Sequence, residues 1–109
     1  MYKATVCLTR SDDLTDEEFR EYYETSHAPR VDGVPGIRRY TLAFNEADDS
    51  PYDSIAELYF DDEAAYERAM SSDRMAELIE DLENFTNTDE RLLVAGEENV
   101  LIEESATAD

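Results

Sequence analysis

The apolar residues of this chain change period along its length, and the order of those changes most restricts its architecture. Residues 2–9 alternate, with Tyr2, Ala4, Val6 and Leu8 on one side and Lys3, Thr5, Cys7 and Thr9 on the other. Period two is the pattern of a half-buried strand. A helix signal follows. Thr15 precedes Glu18 by three positions, a capping box, and Leu14 and Phe19 occupy the two positions of a hydrophobic staple. Asp16 and Glu17 fall in the first turn, where the helix dipole favours negative charge. Phe19, Tyr22, Tyr23, Ser26 and His27 then share one helical face. Pro29 is expected to end this helix, because the residue before a proline avoids the α region.

Val34-Pro35-Gly36 reads as a turn, residues 37–44 as a second strand, and residues 45–53 as an acidic loop. Residues 55–60 form a third strand. Asp61 or Asp62 then caps a short helix carrying Ala65, Tyr66, Ala69 and Met70. Ser71-Ser72-Asp73 restarts the helix, and Met75, Leu78, Ile79 and Leu82 form its apolar stripe. After a loop over 84–90, residues 91–95 read as a strand, 96–99 as a bend or bulge, and 100–102 as a continuation or a further pairing. The order β-α-β-β-α-β is the ferredoxin-like, split βαβ pattern. It is an α+β fold whose antiparallel sheet carries its helices on one face. Ile55 and Tyr59 oppose Ala56, Leu58 and Phe60, so the second sheet face is partly apolar as well. An uncovered apolar face is a liability, and a homodimer packed sheet to sheet would cover it; the alternative is a wet face. Residues 1–102 are expected to be a single domain and 103–109 a polar, frayed tail.

Charge narrows the partners. Asp and Glu number 29 against 9 Lys and Arg, a net charge of −20, spread along the whole chain. An even acidic coat repels itself in dilute buffer and is screened at about 1 M salt, where the Debye length is roughly 3 Å. The simplest account is a halophilic cytoplasm; the competing one is a basic partner protein. No basic patch exists to meet phosphates, which argues against nucleic acid and against an anionic membrane. No run of about 18 apolar residues is present, and the N-terminus reads as a strand rather than a signal peptide, so a cytoplasmic location is expected. Cys7 is the single cysteine, which rules out an intrachain disulfide. Its simplest role is a small apolar residue in the first strand.

Several motifs combine into a family pattern. Glu18-Phe19 and Tyr22-Tyr23 lie in the capped helix, followed by His27-Ala28-Pro29, Val34-Pro35-Gly36 and Tyr40. Tyr52-Asp53, the strand from Ala56 through Tyr59 and Phe60 to Asp61-Asp62, and Asp81 with Asn84-Phe85 come later. Over residues 2–102 the chain resembles the EthD family, named for a protein of ethyl tert-butyl ether degradation. The resemblance implies a dimeric α/β barrel of two ferredoxin-like subunits, each with a cleft between sheet and helices. Similar barrels include isomerases, polyketide cyclases, small monooxygenases and some haem-dependent enzymes, so the fold alone does not select an activity. This chain departs from the common pattern in the short acidic loop after its second strand and in Tyr59, where Trp is usual.

His27 is the only histidine. It stacks below Tyr23 and Phe19 in the last turn of its helix, where Glu24 can reach it. Imidazole near neutrality can act as general acid or base; the plainer role is to cap its own helix. Tyr23, Tyr40 and Tyr59 can line a cleft and donate hydrogen bonds to a carbonyl or phenol, or can simply pack. Glu57 faces away from the helices and becomes partly buried if two sheets pair, with Arg38, Arg39 or the second chain as partner. Glu24-x-x-His27 is half of a di-iron carboxylate motif whose second half is absent, and a lone histidine supplies one ligand at most. The Asp48–Asp53 loop has no EF-hand spacing. No metal and no cofactor are expected. Three functions remain in view. One is an isomerase, dehydratase or cofactor-free oxygenase acting on a small hydrophobic carbonyl or enolisable compound, with His27 moving a proton. The others are a small-ligand-binding module and a structural dimer.

Overall fold

The computed structural model describes residues 1–104; the outer part of the expected tail, 105–109, lies outside the described residues. Strand β1 (Tyr2–Leu8) is central. It pairs with β3 (Ser54–Phe60) on one side and β4 (Leu92–Glu97) on the other, and β2 (Arg39–Phe44) pairs with β3. The order is β2-β3-β1-β4 and every pairing is antiparallel. Helices α1 (Asp16–Tyr22), α2 (Glu63–Met70) and α3 (Asp73–Asp81) complete the ferredoxin-like α+β architecture.

The local signals act as expected at the helix starts. Glu18 N–H donates to Thr15 Oγ1 at 3.1 Å, while Thr15 N–H donates to Glu18 Oε1 at 2.8 Å. Two otherwise orphaned donors are thereby satisfied together. Asp62, not Asp61, caps α2 by accepting from Ala65 N–H at 2.8 Å, and Ser72 caps α3 through Met75 N–H at 3.2 Å. Asp61 instead takes a forked pair of hydrogen bonds from Arg38 at 3.0 and 2.9 Å.

Two expectations are corrected. Pro29 does not end the helical path. After α1 the chain widens into a π-helical turn, Tyr23–His27, and tightens into a 3₁₀ segment, Ala28–Gly33, with Pro29 near its start. There the missing N–H is an orphan anyway and the fixed φ already suits a helix. Residues 100–102 neither continue β4 nor pair: Val100, Leu101 and Ile102 are 61, 90 and 93% exposed and lie in no strand. The turn at Val34-Pro35-Gly36 forms as read, with Gly36 at φ +77, a conformation that costs glycine little.

The core lies between the sheet and the helices. Ala4, Leu8, Ala56 and Phe60 face it from the strands. One cluster centres on Phe60, Ala69 and Leu78; the other holds Leu8, Phe19, Tyr23 and Phe85, with Leu14 packed against it. The opposite sheet face is open, and Ile55 and Leu92 on it are each 43% exposed.

Candidate functional site

The helical path that carries Phe19 and Tyr23 inward also carries His27, which is 6% exposed. Its ring meets Tyr23 edge-on at 5.5 Å between centroids and Phe85 at 4.9 Å. Its Nδ1 lies 2.9 Å from Asp81 Oδ2. Asp81 closes α3 and is itself buried, at 4% exposure. A carboxylate at a helix C-terminus opposes the helix dipole, and burial adds a desolvation cost. Partners offset both. Tyr22 Oη–H donates to Asp81 Oδ1 at 2.6 Å, Asn84 Nδ2 donates to the same oxygen at 2.9 Å, and the Arg30 guanidinium stands 3.7 Å away.

These partners set the protonation states. Burial pushes the Asp81 carboxyl up, but the hydrogen bonds from Tyr22, Asn84 and His27 outweigh it and hold the group below its ordinary value. Burial pulls the His27 imidazole below its ordinary value, against the opposing pull of Asp81 and with a small contribution from Arg30. The pair at neutral pH is therefore an ionised carboxylate beside a neutral ring. The carboxylate can only accept, so Nδ1 carries the proton and Nε2 keeps its lone pair. Glu24, expected as the neighbour of His27, is exposed, because the π turn leaves it on the outer side of the path.

His27 borders a cavity of about 240 Å³ between the sheet and the helices. Its wall is mainly aliphatic and aromatic, with Val6, Leu58 and Met75 among the lining residues. Tyr23, Tyr40 and Tyr66 add the phenolic groups. Burial raises both Tyr23 and Tyr40, and their mutual contact raises Tyr23 further, so both stay protonated and act as donors.

Of the residues expected to form one site, the structure brings His27, Tyr23 and Tyr40 to this cavity. It does not bring Tyr59 or Glu57. Strand alternation puts those two on the open face of β3. There Glu57 meets Lys3 Nζ at 2.9 Å, rather than Arg38 or Arg39. Tyr59 Oη donates to Glu98 Oε2 at 3.2 Å, and Arg39 stacks 5.5 Å from the Tyr59 ring centroid. The residues that sequence reasoning missed are Asp81, Tyr22 and Asn84 as partners of the histidine. A signal for Asp81 existed. It stands three residues after Leu78, so the apolar stripe of α3 carries a carboxylate where an aliphatic residue is expected. Among the described residues no group of three or more His, Cys, Asp or Glu is arranged to hold a metal ion. No described helix is long and apolar enough to cross a membrane.

A family model described as "EthD domain" matches residues 11–89, which is most of the chain. The chain belongs to the EthD family. An uncharacterised 11.0 kDa protein of Rhodococcus erythropolis, from a thcB-thcC intergenic region, is 28% identical over 104 residues, 93% of this chain and 99% of that one. The crystal structure of an EthD family protein from Bacillus halodurans superposes with a TM-score of 0.79 at 24% identity, covering 91% of this chain and 99% of that one. The same fold appears at lower identity in SnoaB, a cofactor-independent oxygenase from Streptomyces nogalater (TM-score 0.67, 17% identity, 94% and 97% covered). It appears too in a protein from Bacteroides fragilis described as dimeric (TM-score 0.66, 17% identity, 89% and 95% covered). These likenesses establish the fold.

Proposed function

We propose that this EthD protein is an enzyme acting on a small hydrophobic carbonyl or enolisable compound, with His27 as the proton-transfer group. The observation that carries the reading is the His27–Asp81 pair at the wall of an apolar cavity. Asp81 fixes the tautomer, so Nε2 is a base. Nε2 takes a proton from the carbon beside a carbonyl. The C–H pair becomes the new C–C π bond as the carbonyl π pair moves to oxygen. The resulting enolate oxygen accepts a hydrogen bond from the Tyr40 or Tyr23 hydroxyl. Return of the proton at another carbon completes an isomerisation. Loss of a β-hydroxyl as water, protonated by His27, completes a dehydration. An enolate that passes an electron to dioxygen begins an oxygenation, the class of reaction named for the similarly folded SnoaB.

The shared first step can be measured without the natural substrate. The wild-type protein in D₂O should exchange the α-hydrogens of 2-tetralone faster than buffer does, followed by proton NMR, and His27→Gln should abolish the excess. Equal exchange by the two proteins would refute the proposal. Retained binding of the ketone without exchange would favour a small-ligand-binding module instead.

We further propose that the protein is a homodimer joined through its open sheet face. Ile55, Leu92 and Val94 are 43–59% exposed there, an apolar patch left uncovered by the described residues. A second copy brings the same surface and can cover it by two-fold symmetry. Glu57 and Tyr59 then become interface residues. A monomer by light scattering in 1 M salt would overturn this. The charge of −20 supports a salt-rich cytoplasm as its setting.

A further inference from the structure

We infer that Arg91 binds an anionic group at the mouth of the cavity, so that the ligand is an apolar body carrying a carboxylate. This rests on the reading that the cavity holds a small molecule, and extends it to the chemical class of that molecule.

Position comes first. In β4, Leu93 lies opposite Val6 and Ala95 opposite Ala4, so both are on the helix side of the sheet. Arg91 stands two residues before Leu93 and continues that side. It lines the inner cavity and also a shallower outer depression, as do Met70 and Ile79. It therefore stands where the cavity meets the surface.

Charge comes second. Among the described residues Arg91 is the one charged side chain lining the cavity, since His27 is neutral there. The remaining polar groups inside are tyrosine hydroxyls, and Asp81 is turned to Tyr22, Asn84 and His27. A charge on a ligand can be met only at the Arg91 end.

Availability comes third. In a chain with 29 acids and 9 basic residues, a basic side chain is easily claimed by an acid. Lys3, Arg20, Arg30, Arg38 and Arg74 are all in ion pairs. Arg91 is in none of the ion pairs or side-chain hydrogen bonds among the described residues, although Glu80 and Glu83 line the same outer depression. A guanidinium presents a planar fork that matches a carboxylate. Arg39 and Arg68 are in no ion pair among the described residues either, but neither lines the cavity, so at its mouth Arg91 is the charged group that would admit an anion. The ligand would thus lie with its carboxylate at Arg91 and its apolar part among Met75, Leu58 and Val6, toward His27.

The test compares two probes of one shape, 2-naphthoate and 2-acetonaphthone, titrated by their own fluorescence into the full chain at fixed salt. The chain contains no tryptophan, so no indole emission interferes. Wild type should bind the carboxylate about tenfold more tightly than the ketone, the increment of one charge-assisted pair. Arg91→Gln should erase that preference while leaving the ketone's affinity unchanged, and Arg91→Lys should restore part of it. Persistence of the preference in Arg91→Gln would overturn the inference. So would an equal loss for both probes together with a lower denaturation midpoint, which would make Arg91 a structural counter-charge to Glu80 and Glu83. Failure of wild type to bind either probe would remove the cavity reading itself. A wild type that prefers the carboxylate through Arg91 yet exchanges no α-hydrogens of 2-tetralone would support the anion site while refuting the proposed chemistry.

Discussion

His27 Nδ1 and Asp81 Oδ2 are 2.9 Å apart across 54 residues of chain, joining the end of the π turn to the end of α3. The contact orients the only histidine and fixes which of its nitrogens holds a lone pair. Replacing the carboxylate with an amide removes the feature that decides the tautomer. Asp81→Asn should slow α-hydrogen exchange by about 10–100-fold, the range for loss of a group that orients a histidine. An exchange rate equal to wild type would show that the tautomer is set elsewhere.

The pH dependence follows from the depressed imidazole. Its folded value lies below its unfolded one, so between the two the unfolded chain binds more protons and stability rises with pH. The contribution is full above about pH 6.5, the ordinary histidine value, and is lost as pH falls through the folded value. Urea midpoints of wild type should therefore fall below that pH more steeply than those of His27→Gln. Parallel profiles would contradict the assignment. Asp81, also lowered, acts in the same direction at more acid pH. Catalytic exchange should likewise rise with pH and level off below neutrality.

Phe85 is fully buried and packs on Phe19, Tyr22, Tyr23 and His27 at centroid distances of 4.9–5.8 Å. It supports both the second core cluster and the histidine ring. Phe85→Ala should cost about 3–5 kcal/mol by equilibrium denaturation. Phe85→Leu should cost less and still lower exchange activity, because the ring that borders the imidazole is gone.

Charge makes stability depend on salt. At about 0.1 M the Debye length is roughly 10 Å and the acids of the coat repel one another; at 1 M it is roughly 3 Å. The thermal midpoint should climb steadily between these conditions, with sodium chloride and potassium chloride acting alike. A midpoint insensitive to salt would refute the halophilic reading.

What the sequence determined by itself was local. The capping box at Thr15 and Glu18, the strand alternation of Tyr2 to Leu8, the turn at Gly36 and the amphipathic stripe of α3 depend on neighbours within a few positions, and these suffice for the β-α-β-β-α-β order. They also pointed to His27 as buried among aromatic residues. The path continues through Pro29 because the chain leaves the α pattern before it and places the proline at the start of a 3₁₀ segment, where its missing N–H costs little, a route that buries Tyr23, His27 and Val31 together. Only the tertiary structure decided the partner of the histidine. Glu24 was near in sequence, yet Asp81 is near in space, and a buried carboxylate is tolerated only where several donors converge on it. It likewise separated Tyr59 and Glu57 from Tyr23 and Tyr40, because sheet register, not residue type, decides which face a side chain occupies.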